Sequence, residues 1–387
     1  MAEIKVPIYV RPATSRMTRR QHVERSLVAI IAEGGLPIDN GDVIMPAPVL
    51  FGRSEETLAP IGQQFNLPYS TDLETIYKDP PENAVFFEGG PTSIHYEGLG
   101  RAIDSGLNIY TEKPVTLEID EALDLANRAA AKGIRAGVVQ DKRYLPGPLA
   151  LSQVIQQGLI GEPYHLLLEF GYFVHPDDGT RPDWNSDKAE GGGIILDMVA
   201  HWDYLLKMLV GQPKRVVAHS AMHIAQRTRD GQPVPTTAED SIYATFEVDG
   251  PGAAPILCTT VSSWCRRPRK RGLLEIKIQG TQGAAEAYLD RCYYIANKKT
   301  PQIAWDPDSA SREDFHDGWE RFEATHLPGN AFRHQWELYL KHLITDSENP
   351  ASLLDGAQGV ETALCSEKSA LGGNAPIDIR NVHTIAG

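Results

Sequence analysis

The chain has 387 residues, enough for two domains at roughly 100–200 residues each. It is 42% hydrophobic and 23% charged, an ordinary globular composition that excludes collagen-like, low-complexity and disordered classes. With 37 Lys plus Arg against 51 Asp plus Glu, the net charge of −14 argues against nucleic acid or an anionic membrane as the main partner.

Four scattered cysteines (Cys258, Cys265, Cys292, Cys365) form no CxxC pair, so neither a disulfide framework nor a metal site is expected. The N-terminal MAEIKVPIYVRPATSRMTRR has no apolar core ahead of its basic residues, and no apolar run is long enough to span a bilayer. The expectation is a cytoplasmic protein.

The first part of the chain alternates strand and helix patterns. Val6–Val10 reads as a strand and Arg20–Glu33 as a helix with Val23, Leu27, Ile30 and Ile31 on one face, stopped by Gly34-Gly35. Leu36–Pro48 is rich in Pro, Gly and Asp and reads as an insert before a short strand at Val49–Phe51. Glu55–Phe65 is helical. Strands at Ala84–Phe87, Asn108–Tyr110 and Ala136–Val139 alternate with helices at Tyr96–Ser105 and Ile119–Lys132. This is an α/β pattern of βαβ units, which builds a parallel sheet that binds ligands beyond the carboxyl ends of its strands.

After Pro146 the pattern changes. Beyond a helix at Leu149–Gln157, strand-like segments follow one another at Tyr164–Phe173, Arg215–Ser220, Ser241–Val248, Ile256–Ser263, Leu273–Gln279 and Ala284–Leu289. One helix, from Gly193 to about Leu209, interrupts them. This predicts an α+β domain with an open, mostly antiparallel sheet. The expected division is 1–144 for a Rossmann-type dinucleotide-binding domain and 145–387 for a substrate and oligomerisation domain. Tail helices at Ala331–Ile344 and Leu354–Ser369 have the option of packing back on the first domain.

Two motifs carry candidate chemistry. Tyr110-Thr-Glu-Lys-Pro114 lies just past a strand of the parallel sheet, where Lys113 can approach a bound hydroxyl. Gly191-Gly-Gly-Ile-Ile-Leu-Asp197-Met-Val-Ala-His201 puts Asp197 and His201 one turn apart on one helix face. A histidine can take a proton from an alcohol, and a carboxylate one turn away can orient it or hold a neighbouring hydroxyl. The three glycines are expected to let backbone approach a ligand closely.

An EKP motif followed about eighty residues later by GGGxxxDxxxH, across the change from βαβ to antiparallel sheet, resembles the glucose–fructose oxidoreductase/inositol dehydrogenase (Gfo/Idh/MocA) family. Gly106–Pro114, Gly161-Glu-Pro163 and the turn Gln279–Gly283 extend the resemblance over nearly the whole chain. It implies an NAD- or NADP-dependent oxidoreductase acting on a secondary hydroxyl of a sugar, polyol or glycoside, with Lys113, Asp197 and His201 as catalytic residues. Two alternatives stand beside it. One is a glycoside hydrolase that uses NAD as a recycled redox catalyst. The other is a non-catalytic paralogue with a degraded cofactor loop.

The chain departs from the family at its first turn. Where GxGxxG is expected it reads Arg11-Pro-Ala-Thr-Ser-Arg-Met-Thr18, without a glycine. Ser15, Arg16, Met17 and Thr18 are the candidates there for cofactor phosphate. Arg53 and Ser54, at the end of the next strand, are the candidates for the adenosine ribose, and Arg53 favours NADP. Pro91, Thr92, His95, Glu112, Lys113 and Gln140 complete the expected cofactor contacts. Tyr172, Arg181, Trp184 and Asn185 join Lys113, Asp197 and His201 as substrate contacts. Tyr204, standing where the family has Asp, and Asp203 beside it are assigned to helix packing. The basic run Arg266–Arg271 reads as a solvated turn that could also serve an anionic substrate group or an oligomer contact. An exposed face of the open sheet suggests a homodimer or homotetramer.

Overall fold

The computed structural model describes residues 2–177, 181–229, 231–269, 272–303, 306–308 and 314–384. Its first sheet contains, among the described residues, β1 (Glu3–Arg11), β2 (Leu36–Pro37), β3 (Val43–Phe51), β4 (Tyr69–Ser70), β5 (Val85–Glu88), β6 (Asn108–Thr111) and β7 (Ala136–Val138). The spatial order is β2-β3-β1-β5-β6-β7, with β4 also on β3, and every pairing except β2–β3 is parallel. The chain's reversal around β1 gathers the ends of β1, β3, β5 and β6 along one edge, the usual place for a ligand in such a sheet.

β3 is longer than the sequence suggests, because Pro46 and Pro48 sit inside it. Their side of the strand faces outward. Leu50, of the same parity, sends its N–H outward to Pro68 O, and Ile44 faces β2. Pro46 and Pro48 fall in the gap between β2 and β4, where no neighbour asks for an N–H, so the ladder to β1 survives.

The second sheet contains, among the described residues, β8 (Pro163–Gly171), β9 (Pro213–Ala221), β12 (Ser241–Val248), β13 (Ile256–Ser263), β14 (Leu274–Gly280), β15 (Gly283–Ala287), β16 (Cys292–Ala296), β17 (Glu320–Phe322) and β18 (Ile377–Asp378). β10 (Gln226–Arg229) and β11 (Gln232–Pro235) form a separate hairpin. The order is β17-β16-β15-β14-β8-β13-β12-β9-β18, antiparallel except for β8–β13. Alternate residues such as Leu166, Leu168, Ile242, Phe246, Cys258, Ile276 and Ile278 point to one face and bury against Ile195, Val199, Trp202, Leu205 and Leu206. On the sheet's other face Tyr243 and Leu257 are exposed.

The tail helices form as the sequence predicts. Ala331–Thr345 is capped by the Asn330 side chain, and Leu353–Leu371 opens with a Ser352/Asp355 capping box. The first returns to the parallel sheet, where Trp336, Tyr339, Leu340 and Leu343 join Val6, Ile8, Leu27 and Phe87 in one core. Among the described residues no helix is long and apolar enough to cross a membrane.

Candidate active site

Lys113 lies just beyond the end of β6 and reaches across to the helix that carries Asp197. Its ammonium donates to Asp197 Oδ1 at 2.6 Å and to the Asp197 carbonyl at 2.9 Å. Arg181 approaches the same carboxylate, with Nη1 3.0 Å from Oδ2. Burial would raise the Asp197 carboxyl, but the two cations in contact outweigh it and hold the group well below the usual carboxylate range. Asp197 is therefore a permanent anion that locks Lys113 and Arg181 in place.

His201, one turn on, is 3% exposed. Its Nε2 is 3.0 Å from Lys142 Nζ, and its Nδ1 is 2.6 Å from the Tyr204 hydroxyl. An ammonium can only donate, so Nε2 is the acceptor and the ring proton sits on Nδ1. The Tyr204 oxygen also accepts the Lys142 backbone N–H at 3.2 Å. Burial, and then the nearby charges of Lys142, Lys113 and Arg181, push the His201 imidazolium well below its ordinary range, so the ring is a neutral base. Burial also lowers the Lys142 ammonium, against the opposing charge of Asp141.

Tyr204 thus belongs to the histidine's hydrogen bonding, which corrects its assignment to helix packing. Its neighbour Asp203 does serve packing. Asp203 Oδ1 accepts from Thr362 at 2.7 Å and from Gln212 at 2.9 Å, tying two helices together. Sequence reasoning expects Gln140–Tyr144, at the end of the last strand of the first sheet, to face the crevice, without singling out Lys142. The signal was its place one residue past Asp141 at a strand end, but only the fold reveals that it meets His201.

Glu112 of the EKP motif has both oxygens engaged inside the protein. Oε1 faces His22 Nε2 at 2.8 Å and Oε2 accepts the Lys113 N–H at 3.1 Å. The Trp336 indole N–H donates to His22 Nδ1 at 3.0 Å, which leaves the His22 proton on Nε2 to be donated to Glu112. Burial alone would raise the Glu112 carboxyl, but the His22 hydrogen bond and the charge of Lys113 lower it. Glu112 thereby fixes the backbone from which Lys113 projects.

The triple glycine does not open toward a ligand. A Cβ on Gly192 would lie 2.6 Å from the carbonyls of Asn185 and Asp187, and one on Gly193 would lie 2.8 Å from Glu239 Oε2. The close approach these glycines permit is to the protein itself. Glu239 Oε1 then accepts the Ile195 N–H at the helix start. Trp184 is half-buried and Asn185 buried in this packed turn. The Tyr172 hydroxyl accepts from Arg181 Nε at 2.9 Å, and the Arg181 guanidinium lies over the Trp264 ring at 4.1 Å.

At the first turn, Arg11 ends β1 and pairs with buried Glu88 at the end of β5. The other Glu88 oxygen accepts the Gly90 N–H. The Thr18 hydroxyl is buried against the Gly89 carbonyl, and Ser15 Oγ is spent on Thr18. Arg16 and Met17 face outward, as does Arg53, and Ser54 is half-buried at the next helix start. The helix N-terminus after β1, with exposed Arg16 just before it, offers donors of the kind that suit a dinucleotide's phosphates. Pro91 opens the turn that carries Thr92, which is buried. His95 is also buried. Its Nδ1 faces Pro114 O at 3.0 Å and its Nε2 faces Gly90 O at 3.0 Å. It ties the loop after β5 to the EKP turn. Gln140 is buried, its side chain held by Arg143 and its N–H by Gln335. Among the described residues no group of His, Cys, Asp or Glu is placed to hold a metal ion.

Comparison with known proteins matches residues 48–140 to an oxidoreductase family with an NAD-binding Rossmann fold, and residues 149–286 to the GFO/IDH/MocA C-terminal domain. The first match begins beyond the glycine-free turn. A D-xylose dehydrogenase of Paenarthrobacter nicotinovorans is 35% identical over 363 residues, 92% of this chain and 93% of that protein. In three dimensions the chain is similar to a levoglucosan dehydrogenase solved with NADH and L-sorbose, with a TM-score of 0.78 and 17% identity over 98% of this chain and 100% of that one. An oxidoreductase domain protein from Kribbella flavida matches with a TM-score of 0.77 and 18% identity, over 98% and 100%. The chain therefore belongs to the GFO/IDH/MocA family of NAD-binding oxidoreductases.

Proposed function

We propose that this protein is an NAD(P)-dependent dehydrogenase that oxidises a secondary hydroxyl of a sugar, polyol or glycoside. The observation that carries the reading is the pairing of half-buried Lys113 and Asp197 one turn from buried, neutral His201 at the carboxyl edge of the parallel sheet. The similarity to a D-xylose dehydrogenase supports a sugar as substrate. When bound, the nicotinamide supplies the hydride acceptor.

The chain's own residues do the rest. The substrate hydroxyl replaces Lys142 at His201 Nε2 and gives up its proton there. Lys113 donates to the same oxygen and stabilises its growing negative charge. Asp197 keeps Lys113 and Arg181 in position, and Tyr204 keeps the imidazole oriented through Nδ1. Residues 1–144 form the cofactor domain and 145–387 the substrate domain, with Ala331–Thr345 returned to the first sheet. A second copy covers the outer face of the second sheet, where Tyr243 and Leu257 stand exposed.

The test is the purified protein with NAD or NADP and a panel of aldoses and glycosides. Stoichiometric reduction of the cofactor is expected. Sugar release without net reduction would instead support the redox-assisted hydrolase. Lys113→Met and His201→Ala should each lower turnover by at least roughly 10²-fold with an unchanged circular dichroism spectrum. Near wild-type turnover in either would refute the assignment.

A further inference from the structure

Lys113 is anchored at both ends. Its ammonium rests on Asp197 Oδ1 at 2.6 Å, and its backbone N–H donates to Glu112 Oε2 at 3.1 Å. The second anchor depends on a residue of the helix after β1. His22 is wholly buried, and its Nε2–H donates to the other Glu112 oxygen at 2.8 Å. Phe87 and Phe332 flank the imidazole, with ring centroids 4.4 and 5.2 Å away, and the Trp336 indole N–H occupies Nδ1 at 3.0 Å. Both ring nitrogens are spent, and the ring is held in one orientation.

Stability alone does not call for this pair. A buried carboxylate and its polar partner carry a desolvation cost, and apolar groups of the same shape are often no less stable in their place. What the pair adds is direction. A carboxylate with its two oxygens on two fixed donors is held against rotation, so the turn that carries Lys113 keeps one backbone course. Without the His22 donor, Glu112 Oε1 is left unpartnered inside the protein, and the carboxylate turns to regain a donor. The Lys113 N–H then loses its acceptor. The helix that bears His22 is the one the glycine-free turn leads into, so this helix is tied to the catalytic lysine whether or not glycines precede it.

We propose that His22 is a positioning residue of the catalytic site, which sets the course of the Lys113 backbone by fixing the Glu112 carboxylate. The proposal rests on the dehydrogenase reading above and adds to it a residue that touches neither Lys113 nor the site's opening.

The test compares His22→Leu, His22→Gln and Tyr339→Phe in the full chain. Tyr339 is the matched control. It lies in the same core as Phe87 and Trp336, and its hydroxyl donates to Arg135 O at 3.1 Å, at the end of β7 away from the site. His22→Leu should lower kcat about tenfold or more on the sugar the wild type turns over, because a catalytic group displaced by a fraction of an ångström loses its alignment. KM for the sugar and cofactor affinity by calorimetry should change less than about threefold. His22→Gln, whose amide keeps a donor toward Glu112, should lose clearly less than His22→Leu. Tyr339→Phe should keep kcat within about twofold of wild type. Added to Lys113→Met, His22→Leu should lower the remaining turnover less than about twofold, since the side chain it positions is already gone. A reading that needs no turnover is amide hydrogen exchange at Lys113 without ligands, which should be about tenfold faster in His22→Leu and unchanged in Tyr339→Phe. If His22→Leu does not fold, Glu112→Gln, whose amide can accept from only one of the two donors, is read in the same way.

Unchanged kcat in His22→Leu, an equal loss in Tyr339→Phe or in His22→Gln, or a loss that persists in the Lys113→Met background would overturn the positioning role. The two readings fail separately. Faster Lys113 exchange in His22→Leu, with no sugar oxidised by the wild type, keeps the brace on Lys113 and removes the dehydrogenase. Sugar oxidation with unchanged Lys113 exchange in His22→Leu does the reverse.

Discussion

Asp203→Asn is expected to change the pH dependence of stability. The Asp203 carboxyl is 2% exposed, and burial pushes it up from the usual 3.8 to about 6, although Thr362 and Gln212 both donate to it. A carboxyl raised on folding stabilises the native state while it is protonated, and that contribution is lost as pH rises through its folded value. At about 1.36 kcal/mol per pKa unit, the full loss between pH 3.8 and 6 is about 3 kcal/mol. The asparagine variant keeps the Oδ1 acceptor for both donors and cannot ionise. Its amide replaces Oδ2, which adds a roughly constant penalty of order 1–3 kcal/mol if it finds no acceptor. The sign at a single pH is therefore less informative than the slope. Urea denaturation of both proteins at about pH 4.5 and about pH 8 should show the variant gaining about 2 kcal/mol on wild type across that interval. His201 and the other titrating groups are common to both proteins and cancel in the difference. Parallel stability curves would mean that Asp203 ionises normally, and the burial argument for it would be wrong.

Tyr204→Phe removes the oxygen that faces His201 Nδ1, and should lower kcat about tenfold or more while the helix stays intact by circular dichroism. Lys142→Met removes one of the cations that hold His201 neutral. The imidazole then protonates at higher pH, so the acid limb of the pH–rate profile for alcohol oxidation should move upward, and an unmoved limb would remove Lys142 from the base's environment. Arg53→Ala should weaken NADP about tenfold and NAD much less, as read by calorimetry. Equal losses would show that the exposed guanidinium is not positioned for a 2′-phosphate.

Local spacing made much of this molecule legible from the sequence. The βαβ alternation and the run of strands after Pro146 announced the two sheets, because burial on one face leaves a period of two or 3.6 in the chain. Asp197 and His201 share a helix face by arithmetic alone. Lys113 was found because strand ends of a parallel sheet face ligands. What tertiary structure decided involves residues far apart in sequence. Trp336, His22 and Glu112 converge behind Lys113 across 314 and 90 positions. Lys142 meets His201 only because the chain folds the end of the first sheet against the second-sheet helix. The glycines at 191–193 looked like a ligand turn, yet they admit carbonyls and the Glu239 carboxylate, since a missing Cβ records that something comes close but not what. Pro46 and Pro48 hid a nine-residue strand, because whether a proline breaks a ladder depends on which side its absent N–H faces, and that is set by the neighbouring strands.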